Sequence, residues 1–217
     1  GQRKTLGLLF FNPSLRTRLS TQKAAQQLGL NILSINVNQE GWSIETEDGT
    51  VMDGGKGEHI KEAAGVLAQY CDIIAVRCFP GLQDRAADYE ERILNKIIQY
   101  SGRPVISLES STLHPLQSLA DMMTILEHRR QKRPKVVLTW GPHVKALPQA
   151  VANSFAQWTN RIDCDFVIAH PEGYELDPRF TQGATITHDQ DAALKDADFV
   201  YLKNWSSYRD YGQILSQ

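Results

Sequence analysis

The sequence holds only three cysteines in 217 residues, Cys71, Cys78 and Cys164. An odd number without CxxC spacing argues against a disulfide framework and against a zinc site, and it fits a reducing, cytoplasmic setting. No apolar run approaches the roughly 18–20 residues that cross a bilayer, so no membrane partner is expected. The opening "GQRKTLGLLFF" is not a signal peptide, because its apolar part is short and reads as a strand. Neither sign of charge is in excess: the formal net charge is -2. Nucleic acid is therefore not an expected partner, and any anion site must be local. No two of the six histidines have a metal-ligand spacing such as HExxH, so no metal is expected. G-x-G-x-x-G after a strand and GxxxxGK[ST] are both missing, which weakens dinucleotide and P-loop readings; no cofactor is expected.

What is present is a strand–helix alternation. "TLGLLFF" (Thr5–Phe11) reads as a buried strand. Asn12-Pro13-Ser14 breaks it and caps a helix whose apolar stripe is expected to be Leu15, Leu19, Ala24 and Leu28, closed by Gly29. "NILSINV" is a strand, and the polar segment Asn38–Glu58 is too long for a plain connection. Then follow the helix "EHIKEAAGVLAQYC", the strand "DIIAVRCF", the helix "YEERILNKIIQYSG", the strand "PVISLES" and a long helix from "HPLQSLADMMTI", with Pro115 in its first turn. After a boundary at Arg129–Pro134 come the strand "KVVLTW", a helix over Leu147–Trp158, and the strands "DFVIAHP" and "DFVYLKNW". The expected fold class is α/β, with two doubly wound domains on parallel sheets. The domains are expected at residues 1–130 and 131–217, the second incomplete, since the chain closes on "YGQILSQ" with no evident C-terminal element.

Ligands of such sheets bind beyond the carboxyl ends of the strands. Ser14, Arg16, Thr17 and Arg18 stand after the first strand, and Arg77 ends the third. Glu109, His114 and Gln117 follow the fourth, His143 follows the first strand of the second half, and Lys203 stands near the end of the last. In "SLRTR" a helix N-terminus offers unpaired backbone N–H groups, two hydroxyls and an arginine fork, a set suited to phosphate. At helical spacing Arg16 and Arg18 lie about 200° apart, so Arg16 is expected to face a ligand and Arg18 to support the loop or a neighbouring subunit. The bland alternative is a capping serine with solvated arginines. Arg77, at the mouth of an apolar strand, needs a partner, which is a ligand or an ion pair; Glu109 caps a helix or pairs with Arg77. His114 and Gln117 can share a face and present donors to a carbonyl group, or His114 can be a cap. His170 reads as structural, and "DGGKGEH" as a flexible loop.

Taken together, "SLRTR", the strand-end arginine and "HPLQSLAD" resemble the carbamoyltransferases, the family of the aspartate and ornithine enzymes. The resemblance implies that Ser14, Leu15 (through its backbone), Arg16 and Thr17 bind the phosphate of carbamoyl phosphate. It implies that Arg77 and His114 hold the carbonyl side, with Gln117 on the carbamoyl nitrogen. "EGW", "GRPVISLES", "RPKVVLTWGPH", "LPQAVANSFAQW", "HPEGYELDP" and "DFVYLKNWSSY" are similar to the branch that carbamoylates acylated ornithines. That likeness implies a homotrimer in which Trp42 reaches a neighbouring carbamoyl phosphate site, with Glu109, His143 and Lys203 on the acylated ornithine. In that branch the residue before "EH" helps choose the acyl group, proline for succinyl and glutamate for acetyl. Here it is Gly57, which has no carboxylate to repel a succinate charge but lacks proline's fixed φ. N-succinylornithine is the expected acceptor, with N-acetylornithine or ornithine as alternatives and a non-catalytic anion-binding module as a further one. The family's later "HCLP" segment does not occur in this sequence, nor does its C-terminal helix.

Overall fold

The computed structural model describes residues 3–37 and 43–214. It divides into two compact units, Gly1–Phe79 with Glu90–Ser110, and Pro80–Tyr89 with Ser111–Gln217.

The first unit contains β1 (Thr5–Phe10), α1 (Leu15–Gln27), β2 (Asn31–Asn36), the short β3 (Ile44–Glu45) and β4 (Glu58–His59), and α2 (Ile60–Tyr70). It also contains β5 (Ile73–Arg77), α4 (Arg92–Ser101) and β6 (Val105–Glu109); α3 (Arg85–Tyr89) lies in the second unit. Its main sheet runs β2-β1-β5-β6, and the β1–β2, β1–β5 and β5–β6 pairs are all parallel. The strand period sorts β1 to two faces. Leu6, Leu8 and Phe10 pack with Ala25 of α1, whereas Leu9 packs with Ile60, Ala63 and Ala64 of α2. Each fully buried side chain of this size contributes about 1.5–3 kcal/mol.

The stripe expected on α1 is not the one buried. Leu15, Leu19 and Leu28 are exposed and Ala24 is too; the one buried residue of this helix is Ala25. The sheet-facing side is carried instead by Ala25 and the half-buried Arg18, whose guanidinium lies 4.2 Å from the centre of the Phe10 ring. An arginine stem can cover apolar surface while its head stays hydrogen-bonded, so apolar periodicity pointed to the wrong face.

The second unit contains α3, α5 (Pro115–His128), β7 (Lys135–Trp140), α6 (Ala150–Thr159), β8 (Asp165–Ala169), α7 (Pro178–Thr181), β9 (Thr185–Thr187), α8 (Gln190–Leu194) and β10 (Phe199–Lys203). Its sheet runs β10-β7-β8-β9, again with every pair parallel. Val136, Leu138 and Trp140 face Met122 and Ile125 of α5 and Ala152 and Phe155 of α6, while Val137 meets Ala193 of α8 on the other face. The expected α/β class with parallel sheets is therefore what the chain adopts. Among the described residues no helix is long and apolar enough to cross a membrane.

In both sheets the order reverses direction beside the first strand. β2 lies on one side of β1 and β5 on the other; β8 lies on one side of β7 and β10 on the other. Loops leaving the carboxyl ends of β1 and β5, and of β7 and β10, must therefore diverge to opposite faces and leave a crevice between them.

Gly7 tests the packing of the first sheet. A Cβ placed there would meet the Cys71 sulfur at 2.7 Å. Cys71 is buried at the end of α2 and has little room to retreat. Gly7→Ala is expected to lower stability by about 1–3 kcal/mol in urea unfolding, and adding Cys71→Ala is expected to restore most of the loss.

Candidate functional site

The crevice of the first unit opens after Phe10 and Arg77, which are register partners on β1 and β5. Ser14 sits there as the N-cap of α1, in extended geometry with φ -157 and ψ 126, and its hydroxyl accepts from the Thr17 N–H at 3.3 Å. That is the capping expected from the sequence. It leaves the Leu15 and Arg16 N–H groups at the positive end of the helix dipole, since the first N–H groups of a helix have no intrahelical partner. Arg16 is exposed. Arg18 turns the other way: its guanidinium donates to Ser34 Oγ at 2.6 Å and to Asn36 Oδ1. Arg18 thus ties α1 to the end of β2.

Arg77 is buried at 7% exposure and its partner Glu109 at 5%. One guanidinium nitrogen, Nη1, donates to the Glu109 carboxylate and, at 3.3 Å, to the Thr17 hydroxyl. The Phe79 ring lies 4.5 Å beneath the guanidinium. A register shift makes the pairing possible. Val76 is opposite Ser107, but Arg77 is opposite Glu109, so β6 has an extra residue at this point. The bulge re-aims the strand ends and terminates regular pairing at the sheet's mouth. Glu109, expected on the acceptor, is thus the counter-ion of Arg77, the second of the roles its position suggested. Its carbonyl also accepts from the Cys78 N–H at 2.9 Å. Burial, followed by the nearby Glu91 carboxylate, pushes the Cys78 thiol up to about 12, so it carries no thiolate. Burial raises Cys71 and Cys164 as well.

The Gly57 segment begins within a small parallel ladder that pairs Ile44 with Glu58 and Glu45 with His59. The Gly57 N–H donates to the Ser43 carbonyl at 3.2 Å. Glu45 binds the Thr46 and Glu47 N–H groups at 2.7 and 2.8 Å and Lys56 at 3.0 Å. The Glu47 backbone, with Lys56 next, holds its carboxyl at about 2. "DGGKGEH", read as a flexible loop, is pinned at its base while Val51–Gly57 stays exposed. Trp42 lies outside the described residues.

In the second unit His114 is the N-cap of α5 but makes no side-chain cap bond, and Pro115 follows at the first helical position. Gln117 donates to Asp121 Oδ1 at 2.9 Å, so its amide is partly engaged within its own helix. Burial raises the Asp121 carboxyl. His143 and Lys203 flank the second crevice and line one cavity of about 780 Å³ with His170, His188, Gln190 and Asn204. Two loops are stapled there: the Gly141 N–H donates to the Lys203 carbonyl at 3.1 Å, and Asn204 Nδ2 to the Gly141 carbonyl at 2.7 Å. Lys145 N–H donates to His143 Nδ1 at 3.0 Å, which turns the other ring nitrogen outward. His170 is buried, with Nδ1 on the Pro171 carbonyl at 2.8 Å, and burial lowers its pKa. Sequence reasoning did not name His188 or Gln190, since neither ends a strong strand. Among the described residues no group of three or more His, Cys, Asp or Glu could hold a metal ion.

Comparisons with known proteins agree with this layout. Residues 1–127 match the family model "Aspartate/ornithine carbamoyltransferase, carbamoyl-P binding domain". The chain is 58% identical to an N-succinylornithine carbamoyltransferase of Bacteroides thetaiotaomicron over 100% of its own length and 69% of that relative. It is 39% identical to an N-acetylornithine carbamoyltransferase of Xanthomonas axonopodis pv. citri over 96% of its length and 65% of the relative. Among solved structures it is similar to a variant of N-acetyl-L-ornithine transcarbamylase complexed with carbamyl phosphate and N-succinyl-L-norvaline. That match has a TM-score of 0.91 and 39% identity, and covers 98% of this chain and 68% of the other. It is similar also to acetylornithine transcarbamylase complexed with acetylcitrulline, at TM-score 0.90 and 39% identity over 97% of this chain and 67% of the other.

The Arg77–Glu109 pair yields a stability test. Removing one partner strands the other charge in a dry setting. Glu109→Ala is expected to cost roughly 3–5 kcal/mol in denaturant unfolding. A cost below about 1 kcal/mol would mean that solvent already screens the pair.

Proposed function

The chain belongs to the aspartate/ornithine carbamoyltransferase family, and from that premise we propose that it carbamoylates the δ-amine of N-succinyl-L-ornithine, giving N-succinyl-L-citrulline and phosphate. The observation that carries the reading is the crevice after β1 and β5. There the capped α1 N-terminus, the Thr17 hydroxyl and the buried Arg77 meet within one unit, and the exposed Arg16 belongs to the same first turn of α1. Two features suit a doubly charged phosphoryl group: N–H groups that need no reorganisation, and a fixed cation.

The neutral δ-amine attacks the carbonyl carbon of carbamoyl phosphate and a tetrahedral oxyanion forms; the bond between that carbon and the bridging oxygen then breaks, and the proton lost by the attacking nitrogen leaves on the departing phosphate. Ser14, the Leu15 backbone, Arg16 and Thr17 hold the phosphate. Arg77, His114 and the Thr17 hydroxyl take the developing oxyanion, and Gln117 takes the carbamoyl nitrogen. Each preorganised donor of this kind contributes roughly 2–4 kcal/mol to the barrier. Residues 1–130 bind carbamoyl phosphate and residues 131–217 the acylated ornithine, which His143 and Lys203 contact from the shared cavity. Glu109, its carboxylate against Arg77, contacts the acylated ornithine. Gly57 admits the succinyl group, and its pinned base supplies some of the rigidity that a proline would give. The reading also includes a cytoplasmic homotrimer in which Trp42 completes a neighbour's site. N-acetylornithine is the second reading, favoured by the 39% identity to enzymes of that name.

Two measurements test this. Arg16 is exposed, so Arg16→Ala is expected to leave the fold intact and cut turnover at least about 100-fold; near-normal turnover would remove the phosphate assignment. With the acceptors run side by side, N-succinylornithine is expected to be preferred. Gly57→Glu is expected to shift the kcat/KM ratio toward N-acetylornithine by roughly tenfold or more, because a carboxylate would face the succinate charge.

A further inference from the structure

The second unit contains a buried chain of hydrogen bonds that the reaction itself does not require. Asn153 and Gln149, on and just before α6, are 0% and 1% exposed. Asn153 Nδ2 donates to the Thr112 carbonyl and to the Tyr89 hydroxyl, both at 3.3 Å. The Tyr89 hydroxyl donates to Gln149 Oε1, and Gln149 Nε2 donates to the Ser206 carbonyl at 2.9 Å.

Its direction is forced. The two ends are carbonyl oxygens, which only accept, so both amides must present their NH2 groups outward. The Tyr89 hydroxyl receives one proton and gives the other, and it alone joins the two amides. Burial pushes Tyr89 up to about 12, so the hydroxyl keeps its proton throughout the working range. Amides of this kind in a dry interior are costly to leave unpaired, and the links polarise one another.

The two ends are informative. Thr112 lies two residues before His114, in the loop that leads into α5. Ser206 lies three residues after Lys203, in the loop that leaves β10. We infer that Tyr89, with Gln149 and Asn153, is a positioning residue that sets the His114 loop and the Lys203 loop together, so that the carbamoyl end and the acceptor end are aligned by one network. The inference rests on the roles proposed for His114 and Lys203. Tyr89 touches neither substrate; it acts through the two backbones. Its own segment, Pro80–Tyr89, is held in the second unit by Arg85 stacked 3.6 Å from the Tyr208 ring and by Tyr211 donating to Asp88 at 3.1 Å.

The test is Tyr89→Phe in the intact enzyme, a change that keeps the ring and deletes only the hydroxyl. Amide hydrogen exchange is followed at 112–114 and at 203–207, beside steady-state kinetics for both substrates. Protection is expected to fall about tenfold at both segments, and KM for carbamoyl phosphate and for the acceptor to rise together, by about threefold or more. Asn153→Ala, which removes the donor to the Tyr89 hydroxyl, is expected to give the same two-segment pattern. Loss of protection at one segment only, or at neither, overturns the inference. His114→Ala and Lys203→Ala are assayed separately. If neither lowers kcat/KM, the site assignment fails, whereas the exchange pattern still decides whether the network links the loops.

Discussion

The structure of the first unit depends on a buried cation. Arg77 ends an apolar strand, and a guanidinium cannot lose its charge there, so it must be given partners or be driven into water. The chain answers with a bulge that brings Glu109 opposite it and with the Thr17 hydroxyl from the start of α1. Three successive strand-to-helix connections are thereby tied to one side chain. The pair alone is weak grounds for stability, because desolvation offsets its attraction. Its value is positional: it holds a fixed positive charge, already stripped of water, beside a helix N-terminus. A site built this way pays its ordering cost at folding rather than at the moment of reaction.

The same device of parting strands is used twice. Each sheet reverses order beside its first strand, and in each case the candidate residues stand at the reversal: Arg16, Thr17 and Arg77 in one unit, His143 and Lys203 in the other. The two crevices differ in chemistry. The first offers a helix N-terminus, a hydroxyl and two arginines, one of them held by Glu109, a set suited to a phosphate ester. The second is a cavity of about 780 Å³ lined by imidazoles, amides and one lysine, suited to a longer ligand with amide and carboxylate groups. Under the proposed function the first crevice takes the donor and the second the acceptor.

Much of this was legible in the sequence, and the reasons are local. Strand-end residues, the Ser14 cap, Pro115 and the αL glycines Gly29 and Gly102 are decided by neighbours a few positions away. The α1 stripe was misread because Arg18 covers Phe10 and takes the place an apolar residue would hold. The choice of Glu109 as the partner of Arg77 depends on a one-residue register shift, which no periodicity reports. The Tyr89–Gln149–Asn153 chain was invisible for a stronger reason. Its links join residues 41 to 64 positions apart, and each residue type alone is an ordinary polar residue. Long-range polar pairing is specified by the packed fold, not by any window of sequence.

In the proposed function the phosphate of the donor sits on the N-terminus of α1. A crystal structure of the enzyme with carbamoyl phosphate bound tests this placement. Phosphate oxygens are expected within about 3 Å of the Arg16 backbone N–H, the Arg16 guanidinium and the Thr17 hydroxyl. Phosphate found instead beside Lys203 and His143, with the α1 N-terminus empty, would contradict it.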